Sequence, residues 1–471
     1  MKVQRDSISL THPLLKAIGS LADAEQLEVY VVGGYVRDAL LGLGDRDIDI
    51  LVLGDGIRFA ERVARELGGK TVVVHEKFGT ATVPLEMGKV EFVGARRERY
   101  EASSRSPQIA VGTLEEDLLR RDFTINALAA SLNEARFGEL IDPFEGRRDL
   151  KRKLLRTPLD ALRTFDDDPL RMMRAIRFAS QLGFSIDRKA LDAIKEMKGR
   201  LAIVSQERVT DEFLKTLKTI KPSVGLYLMY ETGIMDFVFP EVAHMAGVDQ
   251  RRDYHHKDVF LHTCIVVDNI SETTDNVWLR FAALVHDIAK PRTKVFKEGT
   301  GWTFHGHEEV GARMIKGIFR KLKMPLEPLP YVEKLVRLHL RPMVLVDEVV
   351  TDSAVRRLVF EAGNDIDDLM KLCRADITSK NPSLVSKYLR NYDIVMRKIV
   401  EVEEKDRLRN WQPPVRGDEI MAVCGLEPGK MVGVLKKAIE EAVLDGIIPN
   451  EHDAALEYLM KAKDEILGRP T

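Results

Sequence analysis

The chain has 471 residues, 45% hydrophobic and 31% charged, the make-up of a folded globular protein of about three domains and not of a disordered one. Its 72 Lys and Arg against 74 Asp and Glu leave a net charge of −2, which excludes a polybasic coat and confines any RNA surface to a local patch. Three separated cysteines (Cys264, Cys373, Cys424) exclude a disulfide framework or a CxxC zinc pair. No apolar run approaches the roughly 20 residues of a membrane span, so a cytoplasmic protein without a membrane partner is expected, and no obligate protein partner is evident.

In chain order, residues 27–32 predict a strand, Gly33-Gly34 breaks it, and residues 35–41 read as a helix. Residues 48–53 and 90–93 predict further strands, and residues 123–130 begin another element. Beyond about Asp160, apolar residues recur at three- and four-residue spacing with few β-rich runs. The expected fold is α+β: a head with a mixed sheet, then a long helical body. Breaks at Asp142-Pro143, Lys221-Pro222-Ser223 and Pro413-Pro414 suggest segments 1–145, 146–220, 221–400 and 401–471.

The segment VVGGYVRDALLGLGDRDIDILVLG carries the first chemistry. Gly33 and Gly34 let backbone approach closely, and free N–H groups at a helix start bind phosphate; Arg37 adds a cation on the same helix. An ordinary strand–helix connection also produces Gly-Gly. Asp47 and Asp49 flank Ile48, so on a strand both carboxylates share one face, and a divalent cation relieves their repulsion. A solvated strand edge is the alternative for an isolated DxD. Glu91 alternates with Val90 and Phe92 and is a candidate third carboxylate. Thr113 and Glu116 form a capping-box pattern before Arg120-Arg121, while Asp122 reads either as a site residue or as a local cap. In DDDPLRMMRAIRF, Asp168, Arg171, Arg174 and Arg177 recur every third residue, which also fits a helix laced by Asp–Arg pairs at i,i+3.

GGYVRD, the DxD of Asp47 and Asp49, RRDFTINALA, DPLRMMRAIRF and SQERVTDEFLK occur in the order seen in class II tRNA nucleotidyltransferases, and the chain resembles these CCA-adding enzymes and their poly(A) polymerase relatives. The likeness implies a polymerase-β-like nucleotidyltransferase head, a helical neck, an HD-type body and a tail. It further implies that Asp47, Asp49 and Glu91 hold two magnesium ions for transfer from CTP and ATP to a tRNA 3′ end. Gly33, Gly34, Arg37, Arg121, Asp122, Arg174 and Arg177 match nucleotide-contacting positions. Asp168 and Arg171 match the pair that reads the incoming base, where an acceptor-only Asp and a donor-only Arg complement the amine and ring nitrogen shared by cytosine and adenine. The family usually has Glu-Asp where this chain has Asp167-Asp168. Addition of CC alone, of A alone, or of poly(A) are alternatives, which the segment between Arg96 and Arg121 is expected to decide; another is an HD hydrolase with a nucleotide-sensing head.

In the helical body LHTCIVVDN, LVHDIAKP, FHGHEE, LHLRP and CRADITSKN resemble the HD phosphohydrolase pattern. This implies a second divalent, transition-metal site on His262, His286, Asp287 and Asp376, with His305, His307 and His339 as candidates for another position and a phosphohydrolase activity as its use. The run from Arg147 to Arg156 has six cations and one acid, and its Arg147, Arg148, Lys151, Arg152 and Lys153 are candidate RNA contacts, or simply a solvated face. A turn at Pro428-Gly429 followed by an amphipathic helix is similar to the family's tRNA-contacting tail.

Overall fold

A computed structural model describes residues 6–44, 47–69, 71–76, 79–99, 108–248, 258–299, 301–347, 351–379, 381–406 and 414–467. They form two compact units, residues 1–219 with 224–238, and residues 220–223 with 239–471.

The first unit is built on a seven-stranded sheet of Val29–Val32 (β1), Ile48–Val52 (β2), Val73–His75 (β3), Thr80–Leu85 (β4), Gly88–Gly94 (β5), Ala129–Ser131 (β6) and Leu140–Ile141 (β7). Its order is β3-β4-β5-β2-β1-β6-β7, antiparallel except for β2 beside β5, so the sheet is mixed as expected. Central strand β1 is buried along its whole length, as its unbroken Val-Tyr-Val-Val demands. The amphipathic Gly56–Glu66 helix, capped by Asp55, covers β4 and β5, and Phe59 meets Phe92 edge-on at 5.9 Å. The sequence pattern did not mark β3, β4, β7 or the hairpin of Arg96–Arg99 with Gln108–Val111, because short polar-faced strands carry little periodicity. Residues 123–130 divide into a 3₁₀ turn, Thr124–Asn126, and β6.

Helices then take over: Ala161–Asp167, Leu170–Leu182, Arg188–Met197 and Gln206–Leu217, with a two-residue parallel pairing of Leu154–Leu155 to Ser185–Ile186 as an addition to the helical neck. Phe178 anchors the Leu170–Leu182 helix by an edge contact with Phe123, 5.9 Å away.

The second unit is helical around Phe239, Phe281 and Phe319, with Trp278 tilted onto Phe319. Its interior helices include Val259–Ser271, Val277–Val285, His307–Lys321, Leu329–Leu338 and Ile366–Ala375. One antiparallel hairpin, Val295–Lys297 with Gly301–Thr303, interrupts them. Gly417–Cys424, Lys430–Leu444 and His452–Leu467 close on a core of their own that includes Ile420, Leu435, Ile439 and Leu459. The three cysteines are buried free thiols, and no described helix is long and apolar enough to cross a membrane.

Candidate functional site

Strand geometry sets the acids of the head. Ile48 and Ile50 are buried, which turns Asp49 to the opposite face of β2, with Asp47 two residues before it just outside the strand. Parallel pairing of β2 with β5 places Asp49 directly opposite Glu91, so the neighbouring strand supplies the third carboxylate to the same face. Burial pushes Asp49 up to about 6; Arg121 opposes this, and the nearby Glu91 and Asp47 reinforce it. Among the described residues none of the three acids has a hydrogen-bonding or ion-pair partner. Their ligand atoms do not close into a group of three within 4.8 Å, whereas two such groups exist in the helical body. An open row of crowded, unpaired carboxylates fits magnesium, which takes one or two carboxylates and completes its shell with phosphate and water.

At the end of β1, Gly33 has φ +73° and donates its N–H to Leu128 O at 3.0 Å, starting the Gly34–Leu41 helix beside the acids' strand. A Cβ on Gly33 would lie 2.7 Å from Arg121 Nη1, so this glycine gives Arg121 its place at the turn. Arg121 and Arg120 are both held by Asp117, which is fully buried, at 3.1 and 2.5 Å. Arg37 is itself buried; it donates to Asp38 from Nε (2.7 Å) and Nη2 (2.8 Å), and to Asn126 Oδ1 from Nη1 (2.8 Å). Its guanidinium thus braces the turn from behind.

Asp122 is no local cap alone. Its Oδ1 accepts from Phe123 N and Asn126 Nδ2, and its Oδ2 pairs with Arg174 at 2.6 Å. Burial raises its pKa, but Arg174 and these donors outweigh that and hold it down at about 2. Arg177 pairs with the buried Glu212 at 2.6 Å, and Arg37, Arg174 and Arg177 all lie over the ring of Phe178, at 5.0, 5.3 and 4.0 Å. Local i,i+3 lacing of the Leu170–Leu182 helix is therefore replaced by ties to other elements. Arg171 is buried and donates to the carbonyls of Thr164 (3.3 Å) and Arg120 (2.7 Å), while Asp168 accepts from Leu170 N and pairs with Arg208 at 3.2 Å.

The basic run is split by its contacts. Arg147 pairs with Asp6, Arg148 with Glu145 at 2.9 Å, and Arg156 with Asp149 at 2.8 Å. Lys151, Arg152 and Lys153 are exposed and make no ion pair among the described residues. Residues 100–107, within the segment expected to separate CCA from partial addition, lie outside the described residues.

In the second unit six side chains converge. His262, His286 and Asp376 form one group, and Asp287, His307 and His339 another, each with ligand atoms within 4.8 Å. His262 Nε2 lies 2.9 Å from Asp376, and His307 Nε2 lies 3.2 Å from Asp287. His286, His307 and His339 each direct Nδ1 to the carbonyl three residues earlier, at 2.7–2.8 Å, which turns every Nε2 inward. Buried His286 Nε2 lies 3.2 Å from Asp287 and 3.4 Å from Asp376 without closing a well-directed hydrogen bond to either. Burial lowers the His286 pKa, yet Asp287 and Asp376 carry it up to about 10; burial and His286 drive His339 down to about 3. Lys290 Nζ sits 2.6 Å from Asp287. Inward imidazoles with one buried and one half-buried carboxylate fit divalent-metal binding. His305 is exposed and stands outside both groups.

Residues 29–156 match the poly(A) polymerase head domain, 183–245 a probable RNA and SrmB binding site of polymerase A, and 252–379 the HD domain, which spans all six converging side chains. The A-adding tRNA nucleotidyltransferase of Deinococcus radiodurans is 32% identical over 434 residues, covering 90% of this chain and 93% of that protein. The chain belongs to the tRNA nucleotidyltransferase family. The multifunctional CCA protein of Legionella pneumophila (strain Lens) is also 32% identical, over 80% of this chain and 90% of that protein. A solved complex of a CCA-adding enzyme with ATP superposes with a TM-score of 0.63 at 25% identity, covering 96% and 95% of the two chains.

Several residues of this nucleotidyltransferase's head and neck were not singled out from sequence: Asp117, Asn126, Phe178, Arg208 and Glu212. Asp117 and Glu212 had a signal, an acid at a helix position that should be apolar; Asn126 and Phe178 had none.

Proposed function

We propose that this nucleotidyltransferase extends the 3′ end of tRNA with CTP and ATP, completing CCA without a nucleic-acid template. The observation that carries the proposal is Asp49 opposite Glu91 on paired strands, beside the Gly33–Gly34 turn and Arg121. Asp47, Asp49 and Glu91 would hold magnesium, which when bound offsets triphosphate charge and lowers the pKa of the attacking RNA hydroxyl. The Gly33–Gly34 turn and Arg121 receive phosphate oxygens, and Arg37, fixed by Asp38 and Asn126, keeps the turn in place. Asp122, Glu212 and Phe178 set the direction of Arg174 and Arg177, which face the nucleotide. Asp168 and Arg171 select the base; the two carbonyls that accept from Arg171 fix its guanidinium plane and leave its other N–H donors for the ligand. Lys151, Arg152 and Lys153 hold RNA phosphates. Such an enzyme works in the cytoplasm.

The A-adding Deinococcus relative favours a second reading, addition of the terminal A alone. One assay separates them: magnesium and tRNA lacking three, or only one, terminal nucleotides, with CTP, ATP or both. Three additions to the shorter tRNA support CCA completion; extension only of the tRNA ending in CC supports A-addition; a long ladder with ATP alone means poly(A) synthesis and overturns both. Arg171→Ala should lose base discrimination more than triphosphate binding, and selectivity that survives refutes its reading role.

In the HD domain His262, His286, Asp287, His307, His339 and Asp376 would hold divalent transition metal, which when bound activates water toward a phosphate ester. Phosphohydrolase action on RNA 3′ ends follows as the proposed use, checked by phosphate release and metal content in the His286→Ala/Asp287→Ala variant.

A further inference from the structure

Between metal-ligand candidates Asp287 and His307 the chain leaves the helical core to form the hairpin of Val295–Lys297 with Gly301–Thr303. Phe296 pairs directly with Trp302 in the ladder, so both rings stand on one face of the hairpin. The rings touch edge-on, with centroids 5.2 Å apart, and remain 51% and 38% exposed. Lys294 Nζ lies 4.4 Å from the Trp302 ring. Residues 290–303 carry Lys290, Arg292, Lys294 and Lys297 against Glu298 alone, a local excess of cations in a chain of net charge −2. Lys290, at the root, reaches both Asp287 at 2.6 Å and the ring of Phe304 at 5.7 Å.

We infer that this hairpin is a nucleobase-stacking platform that seats a single-stranded RNA end beside the histidine–aspartate cluster. Two exposed rings among cations is the chemistry that holds unpaired nucleotides, π-faces taking the bases and ammonium or guanidinium groups the backbone. A duplex has no free base faces to offer, so the occupant is unpaired. The charge excess selects a polyanion over an apolar protein segment, for which four cations around the rings would be a hindrance. Stacking on Phe296 and Trp302 is independent of metal; only the delivery of the RNA end to the cluster rests on reading that cluster as a metal centre.

The test uses the full chain with Trp278→Phe and Trp411→Phe, leaving Trp302 as the sole tryptophan. Titration with a single-stranded oligoribonucleotide of about twelve residues should quench Trp302 emission saturably, and the matching duplex should not. Phe296→Ala should weaken that quench at least about five-fold, the lower end for losing one stacked base, and Phe296→Tyr should restore it. Lys294→Ala should weaken it at all sequences and flatten its salt dependence. Nucleotidyl transfer by the head, unaltered in these variants, reports that the first unit is folded, and an unchanged thermal melt followed by Trp302 emission reports the same of the second. No quench by RNA, or a quench indifferent to Phe296→Ala, overturns the proposal and is the result expected if the rings serve a protein partner. Metal content is measured on the same samples: failure to bind metal with the quench intact removes the cluster's reading alone, and metal bound without a quench removes the hairpin's alone.

Discussion

Asp49 sits where burial and two neighbouring acids make its charge costly, a cost the protein carries at the position proposed to hold magnesium. Because its folded pKa is raised from 3.8 to about 6, the ionised form destabilises the fold; the penalty is absent below about pH 4, grows to pH 6 and is constant above. Asp49→Asn should therefore raise metal-free stability by about 1–2 kcal/mol at pH 7.5, with no gain at pH 4, while nucleotide addition is lost; urea melts at both pH values and a primer-extension assay check this. Asp122 is the opposite case. Its folded pKa of about 2 lies below 3.8, so its contribution is present above pH 3.8 and is lost as pH falls through 2. Asp122→Asn should cost about 2 kcal/mol at pH 7 and progressively less in acid, read by urea melts. Both residues were visible in sequence as acids beside candidate arginines or acids; the sign of each shift was not, because for Asp49 it depends on burial in the folded sheet and for Asp122 on Arg174, 52 residues away.

At the scale of the element, the Gly33–Gly34 turn joins strand to helix and holds Arg121 at the acids. Gly33→Ala meets a backbone conformation only glycine adopts readily and a guanidinium 2.7 Å from the new Cβ. It should lower stability by about 1–3 kcal/mol and raise the KM for nucleotide more than ten-fold, with a smaller change in kcat; thermal melts and steady-state kinetics check both. The Leu170–Leu182 helix makes the same point about context. Its three-residue spacing of arginines was legible, but local periodicity assigns no partners, and packing sends Arg171 to backbone carbonyls, Arg174 to Asp122 and Arg177 to Glu212. The Thr113–Glu116 capping box, by contrast, forms as read, since both of its bonds are closed within four residues.

For the whole molecule, two compact units with separate sites imply separable ligand responses. CTP or ATP with magnesium should raise the melting temperature reported by the first unit, and manganese that of the second; His286→Ala/Asp287→Ala should remove only the manganese shift, as followed by hydrogen exchange in each unit. Sequence by itself determined the α+β head, the helical body, the carboxylate pair around Ile48 and the His-Asp centre, because period-two and period-three-to-four patterning and short motifs are local properties that survive without a fold. Tertiary structure alone decided that Glu91 faces Asp49, that His307 and His339 join the cluster while His305 stays in solvent, and that Asp6 neutralises Arg147 in the basic run. Strand register and helix packing bring those groups together across tens of residues, and no local pattern encodes a distance of that kind.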